Sequence, residues 1–115
     1  MNISLKKMLP ILDDEQLEEL TSILLEAENK KYKDISLKDL LPFIDDSVID
    51  KVLFTLMQRQ EEYTYVLPFV SDETIHNLTL KIISGEIDID LDPLYPFLSD
   101  KDIKLLFKKA IEKDI

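Results

Sequence analysis

The sequence predicts an all-α fold of four stacked repeats. One phrase occurs four times in the 115 residues: an apolar pair, a proline, two apolar residues, an acidic or hydroxyl residue and an aspartate, at residues 8–14, 40–46, 66–72 and 94–100. The prolines, residues 10, 42, 68 and 96, are 32, 26 and 28 residues apart, a spacing typical of stacked supersecondary units. Each repeat should contain a short helix, a Leu-Pro turn and a longer amphipathic helix, and the four should form a small superhelical stack.

A short helix is predicted before each proline. Six residues before the prolines stand residues that mostly favour helix N-termini: Ser4, Ser36, Glu62 and Asp90. Proline lacks a backbone N–H and disfavours helical angles in the preceding residue. These helices should therefore end at the proline, after about one or two turns.

The longer helix of each repeat begins after the apolar residues that follow proline. The expected N-caps are Asp13, Asp45, Ser71 and Ser99. Asp13 with Gln16 has the form of a capping box, and Ser99 with Asp102 imitates it. The helices should end near Asn29, Gln60, Ser84 and Lys113, with Gly85 as a C-terminal stop. The predicted repeats span about 3–29, 35–60, 61–85 and 89–115, within a single domain.

The repeat register predicts the core. Positions seven, ten and fourteen after each proline are apolar in all four copies and share one helical stripe: Leu17, Ile49, Ile75 and Ile103; Leu20, Val52, Leu78 and Leu106; Leu24, Leu56, Ile82 and Ala110. The eighth position is polar in every copy and should face water: Glu18, Asp50, His76 and Lys104. All three apolar sets are expected to be buried.

Composition limits the classes of function. The chain is 45% hydrophobic and 33% charged, which is typical of a folded protein. Its net charge is −10 and it has one arginine, which argues against direct nucleic-acid binding. It has no cysteine, and no apolar stretch approaches the ~20 residues that span a bilayer. We expect no disulfide, no membrane partner and a cytoplasmic location.

The polar clusters favour structural roles over chemistry. The Asp pairs at 13–14 and 45–46 resemble catalytic carboxylate pairs, but they occupy helix starts, where negative charge is favourable. The acidic run from Glu86 to Asp92 lacks the glycine and the glutamate that a calcium loop needs. His76, the only histidine, is expected on a solvated helix surface. The sequence therefore predicts no enzyme, no catalytic or metal-binding residue and no cofactor.

Departures from the repeat suggest two partner-binding regions. Phe54 and Leu80 widen the apolar faces of the inner repeats and, with Arg59 and Tyr65, could form an exposed groove for a partner. The alternative is that inner repeats simply have neighbours on both sides. If Phe54 and Leu80 are buried, the acidic surface of the first long helix becomes the expected contact for a basic partner, through Glu15, Glu18 and Glu19.

The architecture resembles the α-helical tandem-repeat solenoids, such as HEAT, armadillo and tetratricopeptide repeats. The resemblance covers the whole chain but only its architecture, because the tetratricopeptide tryptophan is missing and HEAT and armadillo units are longer. It implies a non-catalytic surface that binds a protein or peptide. Two alternatives stay open: self-association of the acidic first repeat with the basic last repeat, and an acidic DNA mimic that regulates a nucleic-acid-binding protein.

Overall fold

The computed structural model describes residues 1–26 and 34–114, with side chains through Glu112, and confirms the all-α prediction. These residues contain no strand. They form six α-helices and three 3₁₀ segments: α1 Leu5–Met8, a segment Leu9–Ile11, α2 Asp14–Leu25, α3 Leu37–Leu40, α4 Asp46–Gln58, a segment Thr64–Phe69, α5 Asp72–Ile83, a segment Asp92–Phe97 and α6 Asp100–Asp114. None of the described helices has the length and apolar character needed to cross a membrane.

The four long helices begin at the predicted caps. The Asp13 side chain accepts a hydrogen bond from the Gln16 backbone N–H at 2.8 Å, and the Gln16 side chain accepts one from the Asp13 N–H at 3.0 Å. Asp45, Ser71 and Ser99 cap α4, α5 and α6 in the same way, each through the N–H three residues later. Local side-chain chemistry therefore sets these four helix starts.

Two of the helix ends share one geometry. After α5, the Gly85 N–H donates to the Ile82 carbonyl and the Glu86 N–H to the Lys81 carbonyl, with Gly85 at φ 79°. α4 ends at Gln58, and Gln60 takes the equivalent position at φ 58°. This left-handed cap confirms the predicted stop at Gly85. The predicted end at Asn29 lies outside the described residues.

The short helices differ from the prediction. α1 and α3 are single α-helical turns, but the corresponding segments of the third and fourth repeats are 3₁₀ helices of six residues. Pro10, Pro68 and Pro96 lie inside 3₁₀ segments, so the expectation that the short helix ends at proline was wrong for these three repeats, whereas α3 ends at Leu40, before Pro42, as predicted. A 3₁₀ segment makes few hydrogen bonds, and it therefore tolerates a residue without an N–H.

The described residues divide into two compact units, Met1–Phe69 and Val70–Ile115. In the first unit, α2 contacts α3 and α4, and α4 contacts the segment Thr64–Phe69. Its core includes residues from all of these elements: Leu17, Leu20, Leu40, Leu41, Ile49, Val52, Leu53, Leu56, Val66 and Leu67. Two long helices and their Leu-Pro segments thus enclose an apolar interior.

In the second unit, α5 contacts both α6 and the segment Asp92–Phe97. Its fully buried apolar side chains are Ile75, Leu78 and Leu94. The predicted core residues of α5 are therefore confirmed at two of three positions, since Ile82 is half-buried. The prediction fails in α6, where Leu106 is half-buried and Ile103 and Ala110 are exposed.

Candidate functional site

An apolar stripe on α6 is exposed to solvent. Ile103, Phe107 and Ile111 follow one another at intervals of four residues, which places them on one side of the helix. Their exposed fractions are 43%, 66% and 45%. We call these three residues the α6 apolar face. Contiguous exposed apolar groups of this kind mark interaction surfaces more often than isolated ones do.

The other three repeats bury the positions equivalent to Ile103 and Phe107. Ile103 corresponds to Leu17, Ile49 and Ile75, all of which are buried, and Ile49 is only 4% exposed. Phe107 corresponds to three further buried residues: Thr21, Leu53 and Thr79. The fourth repeat thus exposes the side of its long helix that the others cover. The repeat register predicts burial of Ile103, because that position is apolar in all four copies, but apolar character alone does not supply a neighbour to cover it.

A polar anchor explains why α6 turns this face outward. Asp102 is 1% exposed, and its Oδ1 lies 2.5 Å from Nδ1 of His76 on α5. Its Oδ2 accepts a hydrogen bond from the Ser99 N–H at 3.1 Å. Successive residues of an α-helix are rotated by about 100°, so Ile111 lies opposite Asp102 on the helix and Phe107 about 140° away. Holding Asp102 against α5 therefore directs the α6 apolar face away from that contact.

The anchor is a charged interaction inside the unit. Burial raises the pKa of Asp102, but hydrogen bonds from His76 and Ser99 outweigh it and bring the pKa below its usual value of 3.8. The prediction that His76 is a solvated surface residue was therefore wrong, since its side chain is 23% exposed and bonded to Asp102. The Ser99 and Asp102 capping box was visible in the sequence, but the partner 26 residues away was not.

Two lysines follow the edge of the α6 apolar face. Lys104 and Lys108 are exposed and lie four residues apart, next to Ile103 and Phe107 along the helix. The second unit therefore presents an apolar stripe with a positive border. An apolar centre with a charged rim is the usual composition of a protein interface.

The predicted partner-binding residues fall in different surroundings. Phe54 and Leu80 are 40% and 41% exposed, so neither is the buried core residue of the alternative interpretation. Tyr65 is half-buried, with the Lys38 ammonium 5.1 Å from its ring centre. The Arg59 guanidinium donates to the carbonyl of Leu25 at the end of α2. Partner binding by these four residues stays a prediction.

The structure assigns Arg59 a role within the first unit. A cation at a helix C-terminus satisfies a carbonyl that has no partner within the helix and offsets the negative end of the helix dipole. Phe54, Arg59 and Tyr65 belong to the first unit and Leu80 to the second. The contact between Arg59 and Leu25 spans 34 residues, and no local sequence pattern predicted it.

An apolar groove lies between α1 and α2 in the first unit. Its volume is about 160 Å³, and its lining residues are Leu5, Leu12, Gln16, Glu19, Leu20 and Ile23. We call it the α1–α2 groove. The predicted acidic residues Glu15, Glu18 and Glu19 are all exposed on α2, and Glu19 borders the groove. The helix Asp14–Leu25 contains no lysine or arginine, so the α2 wall of the groove is negative, whereas the α1 wall carries the exposed Lys6 and Lys7.

Within the described residues, no three histidine, aspartate or glutamate side chains are grouped as a metal site requires. In the acidic run, the Asp90 side chain instead accepts a hydrogen bond from the Asp92 N–H at 3.0 Å. Comparison with protein-family models, curated proteins and solved structures found no match.

Proposed function

We propose that this protein is a non-catalytic module that binds another protein or peptide. The observation that carries the proposal is the exposure of Ile103 and Phe107 at positions that are buried in the other three repeats, in line with the exposed Ile111 on the same helix face. Removing three large apolar side chains from water would provide the driving force for association. Lys104 and Lys108 would select a partner with a complementary acidic edge.

We also propose that the four repeats form one superhelical stack of the solenoid kind. The support is the repeated helix cap, which starts all four long helices, and the apolar register, whose seventh and tenth positions after proline are buried in the first three. In such a stack each repeat contacts its neighbours. Phe54 and Tyr65 in the first unit and Leu80 in the second would be further candidate contact residues, with Arg59 holding the end of α2.

The test is a comparison of two matched substitutions in a pull-down from native cell extract. Phe107→Ser removes the most exposed member of the α6 apolar face, and Tyr95→Ser removes an exposed aromatic residue of the same unit that lies outside α6. We expect Phe107→Ser to lose the captured protein and Tyr95→Ser to retain it. Equal capture by both variants would contradict the proposed surface.

An acidic surface on α2 supports a second candidate, regulation of a basic partner. Glu15, Glu18 and Glu19 are exposed on a helix that has no positive residue. Salt screens such exposed charges, so this interaction should disappear at high salt. Capture that is lost in Glu15→Lys with Glu18→Lys, but retained in Phe107→Ser, would favour this candidate over the first.

A further inference from the structure

We propose that the α6 apolar face of one copy of this chain docks into the α1–α2 groove of a second copy. This inference rests on the proposed function, because it names the partner of the same α6 surface. Three observations favour a second copy as the partner: the size of the groove, the charges beside the two surfaces and the position of the α6 face in the repeat.

The groove has the size and the polarity for Phe107. Four of its lining residues are apolar: Leu5, Leu12, Leu20 and Ile23. Its volume of about 160 Å³ is comparable to an apolar cavity of about 150 Å³ that binds benzene. Phe107 is the most exposed residue of the α6 apolar face and ends in a phenyl ring. One aromatic side chain can therefore fill the groove.

The charges on α6 and on the α2 wall of the groove are opposite and equally spaced. Lys104 and Lys108 lie four residues apart on α6, and Glu15 and Glu19 lie four residues apart on α2. Four residues of an α-helix span about 6 Å, so two helices laid side by side can pair both lysines with both glutamates. Two copies of the α6 face would instead bring Lys104 and Lys108 of each copy towards those of the other.

The repeat pattern explains why the α6 apolar face should bind the first repeat of another copy. The α6 apolar face occupies the side of the long helix that the first three repeats cover within the chain. The first repeat of a second copy offers an open groove beside its own long helix. A contact between unlike surfaces is heterologous, and it adds copies in one direction to form a ring or a filament.

Two variants, each with one of the two surfaces disabled, test this arrangement. Phe107→Glu disables the α6 face but keeps the groove, whereas Glu15→Lys with Glu19→Lys disables the groove but keeps the α6 face. We expect the parent chain to increase in mass with concentration in analytical ultracentrifugation between about 1 μM and 1 mM, the range of weak association. Each variant alone should remain a monomer of 13.4 kDa. Circular dichroism confirms that each variant is folded.

The mixture of the two variants gives the decisive result. Each variant keeps the surface that the other lacks, so an equimolar mixture should form a one-to-one dimer and nothing larger. A groove variant that associates as strongly as the parent would show that the α6 faces pair with each other, and it would overturn the proposal. A monomeric parent chain would also overturn it. In that case the proposed function is tested separately, by the effect of Phe107→Ser on capture of a partner protein in the pull-down.

Discussion

α4 and α6 show how one repeat register leads to two different environments. Ile49 on α4 and Ile103 on α6 occupy the same repeat position and are the same residue type, yet the first is 4% exposed and the second 43%. α4 contacts α2 and the segment Thr64–Phe69, which cover its apolar side. α6 is held to α5 through Asp102 and His76 instead. An apolar stripe thus predicts a helix, but its neighbours decide whether the stripe is core or surface.

The two units also differ in how many apolar side chains they bury. Of the described apolar side chains, fourteen are buried in Met1–Phe69 and three in Val70–Ile115. Buried apolar area is the main favourable term in folding. The second unit therefore depends more on polar contacts, of which the buried Asp102 is the clearest, and it leaves Ile103, Phe107 and Ile111 exposed.

The largest expected effect is a difference in stability loss when isoleucines at the same repeat position are replaced by alanine. Ile49→Ala should lower the free energy of unfolding by about 2–5 kcal/mol, because it leaves a cavity in a packed interior. Ile103→Ala should change it by less than about 0.5 kcal/mol, as is usual for exposed positions. Urea denaturation measures both. Ile75→Ala is the control within the second unit and should behave as Ile49→Ala does; equal small losses at all three positions would refute the contrast.

Removing the polar anchor should have the next largest effect. Asp102→Asn keeps the size of the side chain but removes its charge, and should cost about 1–3 kcal/mol because buried hydrogen bonds to a charged group are lost. Asp39→Asn changes the equivalent capping acid of α3, which is more exposed: it bonds Ser36 within its own turn and lies 3.7 Å from the exposed Lys6 ammonium. It should cost about 1 kcal/mol or less. If thermal denaturation gives both variants the same loss, Asp102 is no anchor.

The contribution of Asp102 should also depend on pH. Its pKa is lowered in the folded protein, so as pH falls the unfolded chain takes up the proton first. The stability that the carboxylate provides is therefore complete well above its ordinary pKa of 3.8 and is lost as pH falls through the lower, folded value. The difference in stability between the parent and Asp102→Asn should shrink below pH 3.8. A difference that grows in acid would contradict this assignment.

The smallest expected changes in stability are those at the two left-handed helix ends. Gln60→Gly should stabilise the protein by about 1 kcal/mol, because a non-glycine residue at positive φ is strained. Gly85→Ala should destabilise it by a similar amount, about 1 kcal/mol, for the same reason. Nothing lies within 4 Å of a Cβ placed at Gly85, so only backbone conformation is changed. Melting temperatures that move in the same direction for both variants would disprove this explanation.

Local patterns predicted much of the fold, and contacts distant in sequence account for the rest. The caps at Asp13, Asp45 and Ser71 and the stop at Gly85 depend on residues within a few positions, so the sequence was sufficient for them. The pairing of His76 with Asp102 spans 26 residues and requires α5 and α6 to be in contact. The candidate site was missed for the same reason, because the exposure of Ile103 depends on which elements pack against α6 and not on its own neighbours in sequence.

The most direct test of the account is thiol labelling of two single-cysteine variants. The chain contains no cysteine, so Ile49→Cys and Ile103→Cys each introduce one thiol at the same repeat position. In dilute solution Ile103→Cys should react nearly as fast as the unfolded chain, whereas Ile49→Cys should react far more slowly because labelling there waits for the helix to open. Equally slow reaction of both thiols would show that the α6 apolar face is covered within the chain and is no binding surface.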